Sequence, residues 1–178
     1  MNTEVKIKRL SPSNFSETSL DGFVRTHHVK NVYRKNGNEY MLVEKPYTEE
    51  WSIDEKREIA ARISGNDFVS YIAIDRECVI GFVALRKELI YGHMILEELH
   101  ISEKYRGNGI GKKLFSVALE EAQRAGAKTL YISACSSEET IAFYKAMGAY
   151  LTCNPISKMV EKEPYDLQMV CECKKRIS

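Results

Sequence analysis

Leu96-Glu97-Glu98-Leu99-His100-Ile101, at the head of the stretch Leu96 to Leu119, is short and apolar enough at alternate positions to be a strand. From Ile110 onward the spacing changes. Apolar residues recur at Ile110, Leu114, Val117, Ala118, Ala122 and Ala125, which is helical periodicity, and Gly126 supplies the stop. Between the two lies Tyr105-Arg106-Gly107-Asn108-Gly109-Ile110-Gly111-Lys112, with glycine at three alternate positions. Such a loop leaves the backbone bare at the mouth of a helix, where free N–H groups and the helix dipole favour an anion. A tight turn needs one glycine. Three, together with Arg106, Lys112 and Lys113, point to a phosphate-bearing ligand.

Two nucleotide motifs are excluded by position. A dinucleotide fingerprint counted from Gly107 requires glycine where Lys112 stands, and counted from Gly109 it requires glycine where Leu114 stands. A P-loop ending at Gly111-Lys112 requires glycine where Arg106 stands and Ser or Thr where Lys113 stands.

What remains is Arg106-Gly107-Asn108-Gly109-Ile110-Gly111 between a strand and a helix. It resembles the coenzyme A pyrophosphate loop of the GNAT superfamily of N-acetyltransferases. Leu99-His100-Ile101 stands where that family ends its central strand, and Ile141-Ala142-Phe143-Tyr144 followed by Gly148 is similar to its Phe-Tyr helix. The resemblance covers about residues 68 to 152. It implies an α/β (α+β) fold, one mixed, mostly antiparallel sheet with helices on both faces, and transfer of acetyl from acetyl-CoA to a primary amine of a small molecule or peptide. A non-catalytic CoA-binding sensor or subunit of the same fold is the rival, and the resemblance also admits a homodimer.

Length and composition set the frame. The 178 residues suit one domain spanning 1–178, and 44% hydrophobic residues can build a sizeable core. Lys+Arg 26 against Asp+Glu 25 leaves no basic excess for nucleic acid or an anionic membrane. Lys174-Lys175-Arg176 reads as a solvated tail. Cysteines 78, 135, 153, 171 and 173 are odd in number and lack zinc-site spacing, so reduced thiols and no metal are expected. Cys171 and Cys173 would share a face if that segment is a strand. Without a leader sequence or a run near 20 apolar residues, the expected location is the cytoplasm, away from membranes.

Along the chain, Val5–Leu10 reads as a first strand. His27–Arg34 and Glu39–Glu44 pair as a hairpin about Lys35-Asn36-Gly37-Asn38, where Asn-Gly favours a primed turn. Many family members place helices there. Ser52 and Glu55 form a capping box for a helix running to about Ile63. Phe68–Ile74 and Val79–Leu89 are strands about Asp75-Arg76-Glu77. Thr129–Ala134 is another, followed by a helix capped at Ser136 or Ser137 with Glu138 and Glu139 in its first turn. Ala149–Cys153 and Asp166–Cys173 close the sheet, joined by a loop through Asn154-Pro155 and Glu163-Pro164.

The resemblance assigns roles residue by residue. Backbone N–H groups from Arg106 and Gly107 through Asn108, Gly109, Ile110, Gly111 and Lys112 would clamp the pyrophosphate. Main-chain groups at Leu99, His100 and Ile101 would hold the pantetheine, and the N–H of Leu99 or Ile101 would stabilise the thioester oxygen. Ser137, where relatives often carry Asn, would reach a pantetheine amide. Tyr144 would be the general acid, since a phenol of pKa about 10 is protonated beside a thiol leaving group of about 8.5. For the base, relatives place a carboxylate at Glu97. Strand alternation puts Glu97 with Leu99 and Ile101, and Glu98 with His100, on opposite faces. In the apolar run Met94-Ile95-Leu96, burial is expected to raise the Glu97 pKa. His100 has the better intrinsic pKa but the wrong face. Acceptor contacts are expected from Tyr33, Tyr40, Tyr47 and Trp51, with Glu49, Glu50, Glu161, Glu163 and Asp166, since aromatics and acids suit a cationic amine.

Overall fold

The computed structural model describes residues 4–174, so Lys175 and Arg176 of the basic run lie outside the described residues. In chain order the elements are β1 (Lys6–Arg9), β2 (Thr26–Asn36), β3 (Glu39–Glu50), α1 (Ile53–Ile63), β4 (Phe68–Asp75), β5 (Cys78–Arg86), β6 (His93–Ile101), α2 (Ile110–Arg124), β7 (Thr129–Ala134), α3 (Glu138–Ala146), β8 (Tyr150–Leu151), α4 (Ser157–Lys162) and β9 (Leu167–Glu172). Seven strands form one sheet in the order β1-β4-β5-β6-β7-β9-β8. Only the β6–β7 pair is parallel; the others are antiparallel.

Helices cover both faces because the strands alternate. Val83 and Leu85 of β5, Met94 and Leu96 of β6, and Leu130 and Ile132 of β7 pack against Leu114, Phe115 and Ala118 of α2 and Ile141 of α3. On the opposite face Phe82 and Ala84 meet Ala60 and Ile63 of α1, and Ile95 and Tyr131 meet Ile156 before α4. A Cβ on Gly81 would sit 2.9 Å from Ile101 Cδ1 and 3.1 Å from Leu114 Cδ1, so this glycine lets α2 settle onto the sheet. The capping box at α1 forms as expected, with Ser52 Oγ accepting from the Glu55 N–H and the Glu55 carboxylate accepting from the Ser52 N–H.

Two features position the site. β6 and β7 pair only from His93–Thr129 to Leu96–Ile132 and then part, leaving the edge of β6 open from Glu97 to Ile101. And Ala84 pairs with Glu98 while Leu85 pairs with Leu96, so Glu97 is the extra residue of a β-bulge. The bulge shifts the phase of the strand. Leu96 and Leu99, three residues apart, both join the α2-side core, with Ile101.

The hairpin β2–β3 forms a separate two-stranded sheet, longer than the sequence suggests, with Asn36 paired to Glu39. The central turn residues are therefore Gly37-Asn38, with Gly37 at φ 63 in the first position, as a type II′ turn requires. β2 leans on the start of α3 through the Val32–Ser137 bridge and the Tyr33 N–H to Ser136 carbonyl bond of 2.8 Å. The closing loop also differs from expectation. β8 has only two residues, and α4 occupies the segment read as loop; six residues are too short to show helical periodicity.

Candidate active site

The open end of the β6–β7 gap, the glycine loop and α3 enclose a cavity of about 710 Å³. At one end, Gly107 and Gly109 adopt left-handed conformations, φ 77 and 76. Among the described residues nothing accepts from the N–H groups of Gly107 through Lys112; the first bonded amide is that of Lys113, to the Gly109 carbonyl. Six free donors thus converge at a helix N-terminus. Asn108 does not line the cavity; its side-chain amide folds back onto the Tyr105 and Arg106 carbonyls and braces the loop. Arg25, Arg106 and Lys112, beside His27 and His28, add positive charge to the wall.

Along the gap, the hydrogen-bond phase of β6 can be fixed. Ser102 N–H bonds the Ile80 carbonyl at 2.8 Å, so the His100–Phe82 pair is also bonded. The intervening pairs Leu99–Val83 and Ile101–Gly81 are not, and their main-chain groups face the open edge. Arg106 Nε takes the Ile101 carbonyl at 3.1 Å. Leu99 and the Ile101 N–H therefore offer an incoming extended chain a strand to pair with, and a cationic, donor-rich pocket to an anion at its end. Both suit a pantetheine pyrophosphate.

At the far end of the cavity stands Tyr144 of α3, buried, with Phe115 and Phe143 against its ring. Burial, with the acidic groups Glu98, Cys135 and Asp166 beyond it, pushes its pKa up. The phenol stays protonated.

A family model described as the Acetyltransferase (GNAT) family matches residues 39–149. The chain belongs to that family. It is an acetyl-CoA-dependent N-acetyltransferase, with acetyl-CoA as the acyl donor. No curated protein matches its sequence. Among solved structures it resembles a nourseothricin acetyltransferase, at TM-score 0.73 and 18% identity over 96% of this chain and 99% of that one. A protein assigned as a streptothricin acetyltransferase from Bacillus anthracis str. Ames, solved with acetyl coenzyme A, gives 0.71 and 18% over 95% and 98%. The ribosomal-protein-S18-alanine N-acetyltransferase of Escherichia coli gives 0.61 and 13% over 97% and 96%. At these identities the likeness is one of fold.

Several side chains of this acetyltransferase stand elsewhere than the sequence suggests. Glu97 does not share the face of Leu99, because the bulge turns it toward α1 and α4. There Arg86 grips its carboxylate at 2.8 and 3.2 Å, with Lys162 at 3.5 Å and Arg62 at 3.6 Å. Burial alone would raise its pKa, but the Arg86 hydrogen bonds and charge, backed by Lys162 and Arg62, hold it below the usual value. The expected upward shift is thus reversed. Ser137 does not line the cavity either. It is fully buried, accepts from the Thr140 N–H at 3.3 Å, donates to Thr140 Oγ1 at 2.7 Å and stands 3.4 Å from His27 Nε2, so it caps α3 and braces a wall residue. Thr140 and Glu139 line that stretch instead.

His100 borders the cavity, but its ring turns to the α1 side, edge-on to Trp51 at 4.6 Å. Arg25 Nε donates to Nδ1 at 3.2 Å, so the ring proton sits on Nε2, 2.6 Å from Glu98. Burial pushes its pKa down, and it is a neutral spacer between Arg25 and Glu98. Arg62 also pairs with Glu98.

One acid on this face is different. Asp166, ahead of β9, forms no ion pair among the described residues. It accepts from Ser133 Oγ at 3.0 Å, at the end of a chain in which Tyr131 donates to Gln168 at 2.6 Å and Gln168 to Ser133 at 2.9 Å. Burial lifts its pKa to about 6 against the Ser133 hydrogen bond and the charge of Lys162, with Glu163 and Glu49 adding to the rise. Tyr47 of the hairpin lies 3.8 Å from Cys135 Sγ. Sequence reasoning placed Asp166 among the acceptor contacts and at the start of the closing strand, without a catalytic role, and missed Arg25, His27 and His28 because the start of β2 and the residue before it reach the cavity through tertiary packing alone.

Proposed function

We propose that this enzyme acetylates a primary amine on a small, multiply cationic molecule, and that residues 1–178 act as one catalytic unit. The observation that carries the reading is Asp166, a half-buried carboxylate that forms no ion pair among the described residues, with Glu163 and Glu49 for acidic neighbours and Lys162 as a more distant cation. A carboxylate held near pKa 6 by burial, with further acids around it, suits an ammonium group that must both bind and lose a proton.

The roles follow from the geometry. The N–H groups of Gly107 to Lys112 hold the pyrophosphate, and the main chain of Leu99 and Ile101 holds the pantetheine. One of their N–H groups stabilises charge on the thioester oxygen. Asp166, directly or through water, takes the proton of an amine whose pKa is about 10. The nitrogen–carbon bond forms as the carbon–sulfur bond breaks, Tyr144 gives its proton to the departing sulfur, and the second proton shed by the acetylated nitrogen restores the Tyr144 phenol while Asp166 passes the first to solvent. Glu97, gripped by three cations, braces the bulge. The five cysteines are unpaired, which supports a reducing compartment, and we place the enzyme in the cytoplasm as a homodimer. No helix among the described residues is long and apolar enough to cross a membrane.

Thiol release from acetyl-CoA, measured across polyamines, aminoglycosides, streptothricin-type antibiotics and peptide amines, tests the reading. Turnover should favour the polycationic small molecules, with kcat/KM falling as salt rises. Preference for peptide amines with no salt dependence would overturn it.

A further inference from the structure

We propose that β3 pairs edge to edge with β3 of a second copy of this chain, antiparallel about a twofold axis through Leu42. Among the described residues, β1, β8 and β3 each present a bare outer edge, whereas β2 meets Ser136 and Ser137 at Val32 and Tyr33 and the unpaired end of β6 faces the cavity. β1 has four residues, three of them Lys6, Lys8 and Arg9, and β8 has two. Charge guards the first and shortness the second. β3 runs for twelve residues, and the run Tyr40-Met41-Leu42-Val43 in its first half, just after the turn, holds neither charge nor proline. Met41, Leu42 and Val43 are 50%, 46% and 42% exposed. The usual guards, Lys45, Pro46 and the irregularity between Val29 and Asn31, come only after this run.

The backbone phase decides which groups of β3 are free. Tyr33, the partner of Leu42, sends its N–H away from β3 to the Ser136 carbonyl. The Tyr33–Leu42 pair is therefore unbonded, as alternation from the closing pair Asn36–Glu39 also requires. Lys35–Tyr40 and Asn31–Glu44 fall in the same phase. The N–H and C=O groups of Tyr40, Leu42 and Glu44 thus face outward, evenly spaced about Leu42.

An antiparallel copy placed with Leu42 opposite the partner's Leu42 uses all of them. Tyr40 falls opposite the partner's Glu44, and Glu44 opposite the partner's Tyr40, so six main-chain bonds form. The same register sets Met41 against the partner's Val43 and Glu39 against the partner's Lys45, each pair occurring twice. Apolar meets apolar and acid meets base in one register, and Pro46 comes opposite the turn residue Asn38, where the ladder ends. A twofold contact of this kind closes on itself, so pairing stops at a dimer. β2 carries His27 and His28 to the cavity, with Arg25 just before it, so the joined four-stranded sheet would steady that wall.

Sedimentation of the full chain at tens of micromolar should give twice the 20.4 kDa chain mass. Glu39→Lys and Lys45→Glu should each weaken the dimer at least tenfold, and the double swap should restore it, a rescue that only this register provides. Leu42→Asp, at an exposed site, should give a folded monomer by circular dichroism. A monomeric parent, or a dimer indifferent to all of these changes, would overturn the proposal. Thiol-release activity is read separately, so failure here leaves the acceptor reading standing.

Discussion

Replacing Asp166 by asparagine should make the enzyme more stable at neutral pH and slower. Asparagine keeps the shape and can still accept the Ser133 hydrogen bond. The folded protein holds this carboxyl at about 6 against an ordinary 3.8. A raised carboxyl pKa means the folded state binds the proton more tightly, so the group's stabilisation is complete in acid and is lost as pH climbs from about 4 to about 6. At about 1.36 kcal/mol per pKa unit the full cost of ionisation is about 3 kcal/mol. Water reaching a partly exposed group reduces it to about 1–2 kcal/mol. Urea unfolding of parent and Asp166→Asn should therefore coincide near pH 4 and separate by that amount above pH 7, the variant being the more stable. In the same protein, kcat/KM for the best amine should rise through about pH 6 in the parent. The variant should lose that limb and roughly 10²-fold in rate. Unchanged stability at pH 8 would mean the carboxyl is not strained. A retained limb with unchanged rate would mean the amine sheds its proton elsewhere.

Tyr144→Phe removes one hydroxyl from a buried ring, so CoA affinity by calorimetry should hold while kcat falls roughly 10²- to 10⁴-fold; an unchanged kcat would reduce Tyr144 to packing. Gly109→Asp places a side chain at φ 76 and a negative charge among the six free amides, and should weaken CoA binding by roughly tenfold or more in calorimetry. Glu97→Gln leaves Arg86 and Arg62 facing a neutral amide and should cost about 1–2 kcal/mol at neutral pH, a buried-pair value discounted for the exposure of both arginines. Because Glu97 has a lowered pKa, its contribution is present above the ordinary carboxylate value and disappears as pH falls through the folded one, so parent and variant should converge in acid. The limb near pH 6 should survive Glu97→Gln; its loss would return the base to Glu97.

The glycine loop was legible because it is local. Spacing alone gives free amides, a helix mouth and the exclusion of two nucleotide motifs, and the structure adds only that Gly107 and Gly109 are left-handed. The capping box at Ser52 and Glu55 and the hairpin over Glu39 were legible for the same reason. Each is decided within a few residues of chain. α4 escaped because its helix rests on contacts made across the sheet, Met159 and the preceding Ile156 covering Ile95, Tyr131 and Val170.

Glu97 shows what periodicity cannot carry. Counting by twos from Leu99 puts Glu97 on the cofactor face, and the count is sound for an unbroken strand. A bulge adds one residue without adding a pair, and the alternation changes sign across it. The apolar positions record the break, since Met94 and Leu96 keep one phase while Leu99 and Ile101 keep the same face from the other parity. Read that way, the sequence Leu96-Glu97-Glu98-Leu99 already requires either a bulge or a leucine turned away from the core, and two acids side by side on the opposite face follow from the first choice. Their arginine partners decide the chemistry. Arg86 and Arg62 neutralise that pair, while Asp166, brought to the same face by β9, forms no ion pair among the described residues and feels Lys162 only at a distance. The base is therefore sought not at the acid nearest the cofactor strand in sequence but at the one the fold leaves out of an ion pair.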